Sequence, residues 1–452
     1  MIRIATNMRD LPQRSVLTWI EWLPSTSWLL FMVVPLVMQG APLDLWSTKV
    51  QLLIVSACAI AFLIADATAY RSAFVASRSK TTDVAAVRWI AIVCTAIAFA
   101  TTCLHLLMMP KIPILLALGQ SNAIDAAQAI AQARADATKL LSNGPWIDYL
   151  STWSLVVFAP MAVALWFTLG YRWFAVITFA WICSYAISTT AKFPLVICTA
   201  SILFALSALS PFMRRQLGRL ILAGIVMAVG TVAILAYQSS PSFSSKKVQF
   251  SASTKILESD PRRHQTLADN HRIWSASPID HRQEVSPFVA KADALIYRSI
   301  LGPSDVSIRW YQYFTTVKSP IGFASALIRP PTEERPSRLI AQWAYAERFP
   351  TLYRSFANAN ASFDADAYSR EGGWGAALAI CLLVGLRLCI LPLRGLGSLG
   401  TPVYCIAIAL LSLLTFHSSL QAIIFVHGFW IVLAFMAFSR LFLEDATGAS
   451  TA

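Results

Sequence analysis

Charge is scarce in this chain: Asp, Glu, Lys and Arg make up only 13% of it, against 57% hydrophobic residues, and the mean hydropathy is +0.60. Soluble domains carry about 25% charged residues, so the shortage excludes an ordinary water-soluble protein and implies an integral membrane protein. Nucleotide and metal signatures are lacking too. There is no Gly-rich phosphate loop, no dinucleotide turn and no Cys/His spacing of the zinc type. The eight cysteines all fall in apolar stretches, so disulfides are not expected even in an oxidising compartment. The net charge of +13 does not point to nucleic acid, because excess Lys and Arg in a membrane protein first reflects cytoplasmic loops and anionic head groups. Acidic residues are nearly absent from the apolar runs, apart from Asp66 near the end of one, which argues against ion-coupled transport. No metal or cofactor is expected.

What is present is a series of apolar runs close to the length a helix needs to cross a bilayer. They cover residues 17–39, 48–69, 89–109, 149–169, 173–189, 194–210, 220–238, 374–392, 402–416 and 420–439. The expected fold is an all-α, polytopic transmembrane bundle of about ten spans. Every second connection is basic: Arg3, Arg9 and Arg14, then Arg71, Arg78, Lys80 and Arg88, then Arg172, then Arg214, Arg215 and Arg219, then Arg387 and Arg394, then Arg440. Short-loop Lys and Arg mark the cytoplasmic side, so both termini are expected inside and the remaining connections outside. The basic N-terminus lacks a small-residue cleavage site and reads as leading into a retained first span rather than a signal peptide.

One block breaks the pattern. Residues 239–373, about 135 in all, are too polar for lipid and too long for a simple connector. They divide the chain into an N-terminal bundle (1–238), a large external, periplasmic loop of short helices (239–373) and C-terminal spans (374–452). Residues 239–290 are Ser- and Lys-rich and read as irregular; residues 121–142 read as a surface amphipathic helix. Further on, Gly302-Pro303-Ser304-Asp305 has the form of a helix start, with proline in the first turn and an acid near the positive end of the dipole. Residues 337–348 resume a helix carrying Trp343 and Tyr345, which Pro350 ends.

Candidate chemistry gathers in this block and around it. Lys192 lies in a tight external hairpin, where it either snorkels to the interface or holds the phosphate of a lipid carrier. The loop supplies Arg298, Arg309, Arg338, Arg348, Arg354 and others, and guanidinium suits bidentate phosphate contact. Trp310, Tyr311, Tyr313 and Trp343 offer faces to sugars, although aromatics near a membrane also form interfacial belts. Asp364 and Asp366 are candidate acceptors for a sugar hydroxyl's proton, their alternative role being a solvated helix start. His417, in a short external turn, could meet the loop. His105 and His427 fall in spans and read as satisfied core groups.

These segments resemble a known family. Ser188-Thr189-Thr190-Ala191-Lys192, Ile296-Tyr297-Arg298, Trp310-Tyr311-Gln312-Tyr313-Phe314, and Asn360 to Tyr368 followed by Glu371-Gly372-Gly373-Trp374-Gly375 are similar to motifs of the bacterial oligosaccharide repeat-unit polymerases, the Wzy-type O-antigen polymerase family. The resemblance implies transfer of a growing glycan from undecaprenyl pyrophosphate to a lipid-linked repeat unit, without metal or nucleotide, in the bacterial inner membrane. It implies Lys192 and Arg298 as pyrophosphate contacts. It also implies membrane lipids, a chain-length regulator and a flippase as partners. An O-antigen ligase, a lipid-linked oligosaccharide flippase and a non-catalytic assembly subunit are the rival readings.

Overall fold

The computed structural model describes residues 20–38, 46–75, 84–119, 133, 146–189, 191–210, 302–322, 336–345 and 359–448. Within these the chain is helical, with no strands. The apolar run at 220–238, the surface-helix reading at 121–142, the irregular reading of 239–290, and Arg298, Arg348 and Arg354 all lie outside the described residues.

Helix α1 starts at Leu23–Trp28, widens through a π-turn at Leu29–Val33 and ends in Val34–Met38. There follow α2 (Trp46–Val75), α3 (Val84–Met108), the short α4 (Pro113–Leu118), α5 (Trp146–Thr168), α6 (Arg172–Thr189) and α7 (Lys192–Leu209). Beyond the polar block come α8 (Gly302–Gln312, continued by a π-turn at Tyr313–Val317), α9 (Pro336–Tyr345), α10 (Phe363–Cys389), α11 (Gly397–Leu414) and α12 (Phe429–Gly448). Among the described residues, four helical stretches are long and apolar enough to cross a membrane: Trp46–Ser72, Val84–Met108, Trp146–Thr168 and Phe363–Arg394. Four more are apolar but shorter, at Leu23–Val37, Phe193–Leu209, Leu399–Leu414 and Phe429–Phe438.

The π-turns have a local cause in two cases. Pro35 and Pro160 stand just beyond the widened turns of α1 and α5. A proline lacks the N–H for its i−4 carbonyl and its ring crowds that group, so the preceding turn opens.

Packing follows apolar coverage. The α11 segment from Val403 to Leu411 is buried on all sides, as expected of a helix that is apolar all round. It packs most extensively on α7 and also touches α1 and α5. By contrast, α2, α3 and α6 are two-faced. On α2 an inward stripe, Thr48, Gln51, Ile54, Cys58, Phe62 and Asp66, is buried, while Leu53, Ile60 and Ile64 face out. Those outward residues, with Trp89 and Val93 on α3 and Trp173 and Ile177 on α6, form an apolar exterior suited to lipid.

α10 departs from the sequence reading, which starts a span at residue 374. Its helix begins at Phe363, deep in the bundle, with the Phe363 ring 5.3 Å from Trp28 and 6.5 Å from Phe62. It then folds sharply at Glu371–Gly372 and runs on to Cys389. Gly372 has φ +61°, open to glycine at no steric cost. Gly375 is required by contact: a Cβ there would lie 2.3 Å from the Ala367 carbonyl oxygen. The carbonyls freed at the fold, Ser369 and Arg370, accept the amides of Ile321 and Gly322 at 2.9 and 2.6 Å.

Candidate functional site

α8 is a polar helix held almost wholly inside. Its residues Pro303, Ser304, Asp305, Ser307, Ile308, Arg309, Trp310, Tyr311 and Gln312 are all buried, against α1, α2, α9 and α10. Polar contacts tie it down. The Trp310 indole donates to the Ala359 carbonyl at 2.9 Å, the Ser307 and Ser362 hydroxyls meet at 2.8 Å, and the Tyr311 hydroxyl donates to Asp364 Oδ2 at 2.9 Å. Burial, and next the charge on Asp364, push the Tyr311 phenol up, so Tyr311 remains a donor. Asp364 is itself fully buried, near the first turn of α10, with Cys58 of α2 beside it.

The other candidates divide. Arg309 is 1% exposed; its Nη1 donates to Gln312 Oε1 at 3.3 Å and its Nε lies 3.9 Å from Asp305. Asp366 is engaged by Arg370 at 3.1 Å. Trp310 and Tyr311, read from the sequence as faces for sugars, present no face to solvent: they are 2% and 1% exposed and pack with Ile54 and Ile340. Tyr313 and Trp343 are half-buried and meet edge to face with centroids 5.3 Å apart, while Arg338 is half-buried on α9. α8, in the block 239–373, therefore turns its polar side chains to the protein interior rather than to solvent.

The turn after α11 comes to the same region. The Phe363 amide donates to the Thr415 carbonyl at 3.0 Å, and Phe416 stacks on Phe31 at 4.5 Å. His417 sets its ring against Phe193, 5.0 Å away, the residue that follows Lys192 at the start of α7. Burial lowers the His417 pKa to about 4, so the imidazole is neutral near pH 7. Contacts thus link Tyr311 to Asp364, the start of α10 to the Thr415 turn, and His417 of that turn to Phe193 at the start of α7, segments far apart in sequence.

A second polar cluster was not found from the sequence. Glu21, Asp66 and Arg387 are each 0% exposed. Arg387 Nε lies 3.0 Å from Asp66 Oδ1, its Nη2 contacts the Glu21 carboxylate, and its Nη1 donates to the Tyr404 hydroxyl at 3.0 Å. Arg394 adds a contact of 2.8 Å to Glu21 and donates to the Ala69 carbonyl at 2.8 Å. The Ser25 amide donates to Asp66 Oδ2 at 3.0 Å. Two acids and two arginines close into a neutral network joining α1, α2, α10 and α11. The alternation of basic loops assigns Arg387 and Arg394 to an exposed connection; Arg387 is instead fully buried and Arg394 is 6% exposed at its side chain. The clue available in the sequence was a charge inside each of three apolar runs: Glu21 in 17–39, which the sequence reading passed over, Asp66 in 48–69 and Arg387 in 374–392. His105 is a paired core group, bonded through Nδ1 to Tyr185 and 3.3 Å from Asp148 through Nε2.

No family model, no curated protein and no solved structure matches this chain.

Proposed function

We propose that the protein is a polymerase of undecaprenyl-pyrophosphate-linked oligosaccharide repeat units for a surface polysaccharide, working at the periplasmic face of the bacterial inner membrane. In this reading the chain crosses about ten times, with both termini cytoplasmic. The observation that carries it is the buried Tyr311–Asp364 pair, at a helix start that bonds the Thr415 carbonyl, two residues before His417, which in turn packs on Phe193, the residue after Lys192. Glycosyl transfer needs an acceptor for the attacking hydroxyl's proton and cations for the departing phosphate.

The chemistry balances without a metal or nucleotide. A hydroxyl of the acceptor sugar attacks the anomeric carbon of the donor glycan. Its proton passes to Asp364, held in orientation by Tyr311. The C–O bond to pyrophosphate breaks, and the lipid pyrophosphate leaves with the electron pair, its charge met by Lys192 and Arg298. Tyr313, Trp343, Arg338, Arg348 and Arg354 are assigned to substrate binding. Trp310, Tyr311 and Arg309 shape the site from within, and Asp366 holds Arg370.

Surface glycan from a deletion strain tests the proposal. Lipid A capped with single repeats marks a polymerase, and accumulation of uncapped carrier marks a ligase. The buried Glu21–Asp66–Arg387–Arg394 network favours one further reading, a transporter of the lipid-linked unit, because charges inside spans commonly belong to transport paths. That reading requires lipid-linked repeats to accumulate on the cytoplasmic leaflet in the deletion strain.

A further inference from the structure

Buried hydroxyls in this bundle usually satisfy themselves. Thr102, Thr189 and Ser307 each donate to the carbonyl four residues back, at 2.7, 3.0 and 2.9 Å. The rule fails for Ser201 on α7 and Ser412 on α11, and again on the elements that hold the Tyr311–Asp364 pair. Gln51 on α2 is 0% exposed and neither its amide nitrogen nor its amide oxygen has a hydrogen-bond partner among the described residues. The same holds for the hydroxyls of Thr48, one turn before it, of Ser304 on α8, and of Thr415 in the turn that receives the Phe363 amide. These four are 2% exposed or less. Each sits on an element that packs at the pair: α2 through Cys58 and Ile54, α8 through Tyr311 itself, and the turn through Phe363.

Leaving a primary amide and several hydroxyls buried without partners is costly, and native cores rarely tolerate it. The chemistry of the set narrows what could satisfy it. All four groups are neutral, and each can both donate and accept. Asp364, held by the same elements, is an acid that repels phosphate when ionised. A neutral polyol fits: sugar hydroxyls likewise donate and accept, and one of them must reach Asp364 to lose its proton.

We infer that the junction of α2, α8 and the start of α10 is the acceptor-sugar subsite, with Gln51, Ser304 and Thr415 as specificity contacts to neutral hydroxyls of the accepting repeat unit. The inference rests on the polymerase reading and assigns the pyrophosphate elsewhere, to the cations. Gln51 is its clearest test, because an isosteric apolar replacement removes a group that contributes nothing to stability unless it is bound.

The experiment uses a deletion strain carrying wild-type, Gln51→Leu or Ser304→Ala protein, with glycan ladder, membrane abundance and the unfolding temperature of purified protein measured together. The expected result is at least a tenfold loss of long polymer for Gln51→Leu, at unchanged abundance and with an unfolding temperature equal to or above that of wild type. With purified protein and lipid-linked repeats, raising the acceptor concentration should recover the rate of Gln51→Leu but not that of Lys192→Ala. A normal ladder in both the Gln51 and Ser304 variants overturns the subsite and leaves a junction occupied by water only. A ladder lost in step with abundance or unfolding temperature overturns it too, because that is the behaviour of a structural group. If deletion of the gene itself leaves the ladder intact, the polymerase reading fails and the subsite falls with it.

Discussion

Replacing Arg387 by Met tests the buried network directly. Among the described residues, Arg387 alone contacts Asp66, Glu21 and Tyr404 together, at 3.0 Å to Asp66 and 3.0 Å to the Tyr404 hydroxyl. Removing it turns a neutral group of four charges into one with a net negative charge in an apolar interior. Glu21 keeps Arg394 at 2.8 Å, so the orphan is Asp66, left with the Ser25 amide at 3.0 Å. Breaking a buried pair on one side costs about 3–5 kcal/mol, and that is the expected loss. Asp66→Asn alone leaves the opposite imbalance and should also destabilise strongly. The double replacement, Asp66→Asn with Arg387→Met, restores neutrality and loses mainly hydrogen bonds, at about 1–2 kcal/mol. The two changes should therefore couple strongly, the double variant losing far less than the sum of the single losses. Denaturant titration in mixed micelles, followed by tryptophan fluorescence, measures all four corners of the cycle. A double variant that loses the sum of the single losses would refute the argument, as would an Arg387→Met protein as stable as wild type.

Other expectations follow from single contacts. Lys192→Ala and Arg298→Ala should each cost about 2–4 kcal/mol of transition-state stabilisation in a polymerisation assay, and normal polymer from both at equal expression would remove them from the site. Asp364→Asn should abolish long glycan with little loss of membrane abundance, whereas Tyr311→Phe should reduce it partially; full activity in Asp364→Asn rules the carboxylate out as proton acceptor. Gly375→Ala forces a Cβ to 2.3 Å from the Ala367 carbonyl, so the fold in α10 must open; about 1–3 kcal/mol of stability should go, read as lower membrane abundance. His417, held at a pKa of about 4, binds its proton less readily folded than unfolded, where the ordinary value near 6.5 applies. Its contribution is complete above about pH 6.5 and is lost as the pH falls towards about 4, so unfolding temperatures measured down that window should drop less in His417→Gln than in wild type.

Helix content and membrane character were legible without coordinates, because a helix of apolar residues satisfies its own backbone and needs only a run of suitable length. The inward stripe of α2 could be drawn on the same grounds. The burial of the start of α10 could not. Asp364 and Asp366 allow a helix start there, but a solvated one, and only docking against Trp28, Phe62 and the Thr415 carbonyl takes it inside. Asp364 and His417 were singled out on chemistry alone; that they come to one region depends on the fold of α10 and on α11 packing against α7. Trp310 misleads in the other direction. An aromatic beside arginines looks like a ligand face, yet its indole is spent on Ala359.

The sequence by itself determined that the chain is helical and apolar, and which residues carry charge or a titratable group. Those are local properties, set by composition and by hydrogen bonds within a few residues. Which charges are spent on one another was decided by tertiary structure alone. Glu21 and Arg387 lie 366 positions apart, Tyr311 and Asp364 lie 53 apart, and nothing in either residue's neighbourhood specifies the partner. Burial makes an unpaired charge costly, so the packed bundle selects the pairs.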